Sequence, residues 1–259
     1  MSLSTLLVLA DGRLPAGAHA HSGGVEAAVA AGRIHDVPTL ESFLLGRTAT
    51  AGVVAAAFAA ATCRAVTAGG SQPWSDPRWS DASHRLDGFG GLRGPVSNGV
   101  RGEPGEAGVG RVATLDDGVD VRTASPALRA ASRAQGRALL RAAARIWPAA
   151  GRPTGASPHH PIATGIAAAA AGLGPPEAAL VAVYGGLTGA ASAAVRLLGL
   201  DPYAVHALVA RLAPECDRVA DDAAAHADDP VDDLPAGSAI LLDIDAEQHA
   251  SWEVRLFAS

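Results

Sequence analysis

Residues 178–195 read AALVAVYGGLTGAASAAV, eighteen residues without a charge between Glu177 and Arg196. Length alone allows a short transmembrane helix. Composition argues against it: seven of the eighteen are alanine, and three glycines, a serine and a threonine add little affinity for lipid. Gly185 and Gly189 form a G-x-x-x-G pair, and Gly186 with Ala190 repeats the small-residue spacing. That pattern lets two helix backbones approach closely. Pro175-Pro176-Glu177 opens the helix with a carboxylate at the positive end of its dipole, and Gly199 closes it. The stretch reads as a buried helix of a bundle in water.

Working outward, the same punctuation recurs. Ser125-Pro126 caps and starts a helix that runs to about Trp147 and stops at Pro148. Asp201-Pro202 starts another toward Ala227, with Pro214 inside it. Thr39 is the expected cap of a long alanine-rich helix ending near Ala68, and a shorter helix spans about Pro161 to Ala171. Residues 24–31 make two turns and stop at Gly32, with Ser22 as the expected cap. Of the 259 residues 49% are hydrophobic, but only 4% are aromatic. Alanine favours helix, whereas strands want aromatic and β-branched side chains. The expectation is an all-α, single-domain helical bundle over 1–259 with a long flexible insertion. That insertion is the Gly/Pro-rich stretch 69–121, whose densest part, 69–113, shows no sustained period.

Composition also excludes functions. All twenty basic residues are arginine, so there is no lysine for a Walker A loop or a Schiff base. A net charge of −6 disfavours nucleic acid as a partner. Cys63 and Cys216 are too few and too far apart for a thiolate metal site or a disulfide framework. MSLSTLLVLADGR has no basic n-region before its short apolar run, so a cytoplasmic, signal-free chain is expected. GFGGLRG at 88–94 is not a dinucleotide fingerprint, because no strand precedes it.

Candidate chemistry is sparse. His19 and His21 would point about 200° apart on a helix and share a side only on extended backbone. They are weak metal candidates, with His35 and the pair His159-His160 as possible additions. Ser22 lacks the G-x-S-x-G elbow of a nucleophile. Arg129, Arg133, Arg137, Arg141 and Arg145 form a stripe that drifts about 40° per step. The stripe is either a solvated face or a docking surface for an acidic partner. Eight carboxylates lie between Glu215 and Asp233, where Asp222 and His226 could share a helix face; a solvated helix end is the plainer reading. No general acid–base pair stands out.

Four stretches carry a family likeness. LLVLADGRLPAGAHAHSGGVEAAVAAG (6–32) resembles the N-terminal signature of the urease accessory protein F family in its actinobacterial form: a leucine-rich run, Asp, L-P-x-G, then H-S-x-G-[LIV]-E. The likeness continues through 122–148 and 180–202 and ends in EVRLFAS (253–259), similar to the family's terminal R-L-F-x-S. Pro15, Gly17, His21, Ser22, Gly24 and Glu26 match the opening motif, Arg196 matches a basic position, and Arg255, Leu256, Phe257 and Ser259 match the tail.

The resemblance implies an all-α, dimeric, non-enzymatic scaffold of metallocentre assembly. It would bind accessory protein D (also called H), the GTPase accessory protein G and apo-urease, and would modulate GTP-dependent nickel delivery. Nickel would be handled by the complex, with no cofactor held tightly by this chain and no nucleic acid or membrane as partner. The segment 243–259 is implied to be a partner-docking tail, disordered until protein D binds. The alternative is a nickel-binding metallochaperone module using His19 and His21.

Overall fold

The computed structural model describes residues 3–69, 104–151 and 157–258. Among the described residues the α-helices are α1 (Leu3–Ala10), α2 (Val25–Ala30), α3 (Val37–Arg47), α4 (Val53–Gly69), α5 (Pro104–Arg122), α6 (Pro126–Ile146), α7 (His160–Ala170), α8 (Pro175–Leu198), α9 (Pro202–Ala225) and α10 (Ile240–Ala250). A π-helical segment, Thr48–Gly52, joins α3 to α4 without a break in the chain's direction of coiling.

Helices α4 and α8 lie at the centre and divide the core between two clusters. Phe58, Cys63, Leu115, Leu140, Ile162 and Ile166 form one, beneath α1, α5, α6 and α7. Leu40, Leu44, Val183, Leu187, Leu208 and Val219 form the other, with α2, α3, α9 and the tail residue Phe257. Thus 178–195 is an internal helix: Ala178 and Ala182 face the first cluster, Ala179 and Val183 the second. Among the described residues two stretches, Val37–Ala68 and Pro175–Leu198, are long and apolar enough to cross a membrane, yet 61% and 56% of their most apolar windows are buried inside the fold.

Helix starts follow the expected caps at Ser125, whose Oγ accepts the Leu128 amide at 3.1 Å, and at Asp201. Two expectations are corrected. Asp36, not Thr39, caps α3; Thr39 occupies the third helical position and closes a capping box with Asp36. Gly24, not Ser22, is the residue preceding α2, although Ser22 Oγ still accepts the Glu26 amide at 3.3 Å.

The expected loop 69–121 is corrected in its last part; its residues 70–103 lie outside the described residues. Pro104–Arg122 is helical because Val112, Leu115 and Val119 repeat at helical spacing and are buried against Phe58 and its neighbours. Four interspersed glycines hid that period. A Cβ on Gly118 would stand 2.6 Å from Val231 and 2.9 Å from Phe58. The arginines of α5 then hold the acidic loop after α9 by its carbonyls: Arg111 donates to Asp229 O (2.7 Å), and Arg122 donates to Val231 O (2.7 Å) and Pro235 O (3.0 Å).

The close helix approach that the G-x-x-x-G pair suggested occurs elsewhere. A Cβ on Gly185 or Gly189 would meet nothing within 4 Å. The tight crossings are at Gly165, where a Cβ would sit 2.5 Å from Ala59 O, and at Gly136, 2.0 Å from Pro158 O. Backbone cannot yield there as a flexible side chain could. Gly165→Ala is therefore expected to cost about 3 kcal/mol by overpacking, whereas Gly185→Ala should hold or raise stability by helix propensity. Urea unfolding of both variants checks the contrast.

Candidate functional site

The opening motif folds as a loop that delivers one carboxylate into the interior. Gly24 makes the turn at φ 92°, and a Cβ there would also meet Leu242 Cδ2 at 2.7 Å, so glycine alone fits. The next turn places Glu26 in α2, buried to 7% exposure. Its Oε1 accepts the Leu256 amide at 2.8 Å; its Oε2 accepts the Phe257 amide at 3.0 Å and lies 2.8 Å from His249 Nε2. Burial pushes the Glu26 carboxyl up, but the two amides and His249 outweigh it, and the group is held below the usual carboxylate range. Nε2 of His249 is therefore the protonated nitrogen.

This contact seats the tail. Phe257 is buried in the second core cluster at 4% exposure, and the Arg196 guanidinium lies over its ring, 4.5 Å from the centroid. Arg196 also donates to His19 O at 2.8 Å, and the Ala258 amide donates to Ala20 O at 2.7 Å. The expectation of a tail disordered until partner binding is corrected for residues 250–258. A buried carboxylate needs its donors, and the tail amides provide them. Phe257 is consequently a core residue of this chain, whereas Val254 (84% exposed), Arg255 and Leu256 (72%) face outward.

Helix α10, at the head of the tail, has no capping residue and a weak apolar pattern, which is why its sequence gave no signal. It is held by charge. Asp245 pairs with Arg33, and Asp243 and Glu247 accept the Ser125 and Ala127 amides at 3.0 and 2.9 Å. Both carboxylates thus sit at the positive end of α6.

The remaining candidates separate cleanly. Pro15 and His19 are exposed, Gly17 turns the loop at φ 75°, His21 is half-buried, and Ser22 is buried behind α2. Ser259 lies outside the described residues. Burial, then His19, lowers the pKa of His21. His160 is pushed down to about 4 by burial, then by His21 and Arg47. Arg47 donates Nε to Gly23 O at 3.1 Å and fills the space left by Gly186. Among the described residues no group of three or more His, Cys, Asp or Glu could hold a metal ion. His226 pairs with Asp229 at 2.8 Å rather than with Asp222.

His159 and part of the arginine stripe belong to a buried network. His159 is fully buried, with Nδ1 3.0 Å from Ser132 Oγ and Nε2 2.8 Å from Asp120 Oδ1. Arg133 bridges Asp116, Asp120 and Ser157 O. The serine–histidine–carboxylate order resembles a hydrolytic triad, but Ser132 Oγ also accepts the His160 amide at 3.0 Å, which ties it to the start of α7. The group joins α5, α6 and the start of α7. Arg129 likewise turns to Thr123 O and Ala124 O, so only Arg137, Arg141 and Arg145 stay on the surface.

The arrangement defines a helical bundle whose C-terminal segment is seated on its own N-terminal motif. The sequence pattern of the UreF family matches residues 34–213. Over all 259 residues, and 99% of the relative's length, the chain is 42% identical to the urease accessory protein UreF of Mycobacterium sp. (strain JLS). It is also 42% identical to UreF of Mycolicibacterium vanbaalenii and 37% identical to UreF of Mycobacterium tuberculosis H37Rv, at the same coverage. The chain belongs to the UreF family of urease accessory proteins.

Two outcomes follow from this geometry. Glu26→Gln turns an amide toward donors and is expected to lower stability by about 2 kcal/mol, read by thermal unfolding at pH 7. His160, with its folded pKa below the unfolded 6.5, leaves stability unaffected above 6.5; acidification from there to about 4 protonates only the unfolded chain and destabilises the fold. At pH 5 this amounts to about 2 kcal/mol. His160→Gln should flatten the fall in Tm between pH 7 and 5.

Proposed function

We propose that this chain acts as a non-enzymatic scaffold in nickel loading of apo-urease. It joins accessory protein D (H) to the GTPase accessory protein G, and influences GTP-dependent nickel delivery through the complex. The observation that carries the reading is the seated tail: Glu26 fixes the backbone at Leu256 and Phe257, so that Val254, Arg255 and Leu256 project outward in a set geometry. A preordered segment loses less entropy on binding than a free one. Two exposed apolar side chains flanking an arginine suit a protein partner. Protein D is the partner assigned to this surface. A cytoplasmic setting accords with the two free, buried cysteines.

The homodimer implied by the family is assigned to α8 and α1. Gly185 and Gly189 leave open space on α8, and α1, which packs beside it, exposes Leu3 (79%) and Leu7 (69%). Gly185→Leu should convert a dimer to a folded monomer in light scattering coupled to gel filtration; an unchanged dimer rejects this face.

The scaffold reading is tested by co-purification with proteins D and G. Leu256→Asp is expected to change stability by less than about 0.5 kcal/mol, as for most surface substitutions, yet to lose protein D and urease activation in cells. Full activation by Leu256→Asp, or by a chain lacking residues 250–259, would contradict it. Arg196→Glu, which uncaps Phe257, should reduce activation without removing the surface itself.

A further inference from the structure

Between α6, α10 and the seated tail lies a cavity of about 320 Å³. Half of its lining residues are alanine, among them Ala127, Ala131 and Ala134 from α6, Ala246 and Ala250 from α10 and Ala258 from the tail, while the turn at 21–24, Asp245 and His249 also border it. Small side chains on three elements leave room that none of the described side chains fills. The volume lies at the lower end of ligand-sized clefts, about 300–1,000 Å³. The cavity opens at the surface, since Ala130, Ala250 and Ala258 are exposed around it.

Two further features mark the mouth. Arg255 lines it, and among the described residues Arg255 makes no ion pair. Leu256 and Val254, both largely exposed, stand beside it on the same strand of tail. The surface is thus a hole with mostly apolar walls, a cation at its edge that pairs with no described carboxylate, and an apolar margin. That combination matches a protein anchor: a bulky apolar side chain entering the hole, with a carboxylate near enough to meet Arg255. A purely apolar occupant would leave the guanidinium unanswered, and a small anion would leave the alanine walls empty.

We infer that this alanine-walled cavity is the socket for a bulky apolar side chain of the protein partner that docks on the tail, with Arg255 receiving an adjacent carboxylate of that partner. The inference rests on the proposed role of the tail and adds the position of the anchor. It makes the tail part of the socket wall, so seating by Glu26 builds the site as well as the outward surface.

Filling the hole separates a socket from a packing void, because the two predict different consequences. Ala131→Leu and Ala246→Met enlarge opposite walls and bury more apolar surface, so both should hold or raise Tm. If the cavity is a socket, both should weaken capture of accessory protein D by the full-length chain at least tenfold, a loss typical of a blocked anchor site. Arg255→Glu should do the same and Arg255→Lys should retain partial capture. Wild-type capture by either filled variant overturns the inference, as does a lowered Tm in both, since a true void accepts the added atoms. Leu256→Asp is the control: if it loses protein D while the filled variants keep it, the socket fails and the scaffold reading stands. If Leu256→Asp keeps protein D, the scaffold reading itself fails.

Discussion

A single buried carboxylate constrains the rest of this structure. Glu26 cannot stay inside the protein without donors, and it draws them from His249, Leu256 and Phe257, 223 to 231 residues away along the chain. Everything near it serves that closure. Gly24 turns the chain where no Cβ fits, Arg33 and the start of α6 hold α10 in reach, and Arg196 covers Phe257. Removing one partner of such a buried set costs more than the set contributes over an apolar replacement, so its value lies in fixing one arrangement.

Two polar groupings on either side of α6's first turns work in the same way. The His159, Asp116, Asp120 and Arg133 network ties α5 to α6 and α7, while Glu26 ties α2 to α10 and the tail. Elsewhere many helix contacts are made through alanine and glycine, which pack closely but specify register weakly. An alanine-rich bundle gains its shape from these few directional contacts. A protein that works by presenting surfaces needs its outward residues held in place, and here the holding residues and the presented ones alternate along the tail: Phe257 inward, Leu256 outward.

Much of the fold was legible because the helices that form the core carry their own punctuation. Ser125-Pro126, Pro175-Pro176-Glu177 with Gly199, and Asp201-Pro202 each mark a boundary that depends only on local geometry. Helices α1, α5 and α10 were not legible, since tertiary contacts rather than caps or strong stripes stabilise them. The glycines of α5 obscured Val112, Leu115 and Val119, and α10 is anchored by Asp243, Asp245 and Glu247 to groups far away in sequence. At the site, motif likeness found Glu26, Arg196 and Phe257, but nothing in the sequence could show that they touch. The same blindness left Phe257 among the residues of a partner-docking tail, whereas its socket is internal. Regular spacing also misled at the arginine stripe, where Arg133 turns inward to two aspartates invisible to helical periodicity.

The most direct measurement is amide hydrogen exchange on the isolated chain at neutral pH, with no partner protein present. If Glu26 seats the tail, the Leu256, Phe257 and Ala258 amides exchange slowly, and Glu26→Gln releases the first two. Exchange of all three at the rate of an unstructured peptide in the unmodified chain would contradict the account at its foundation.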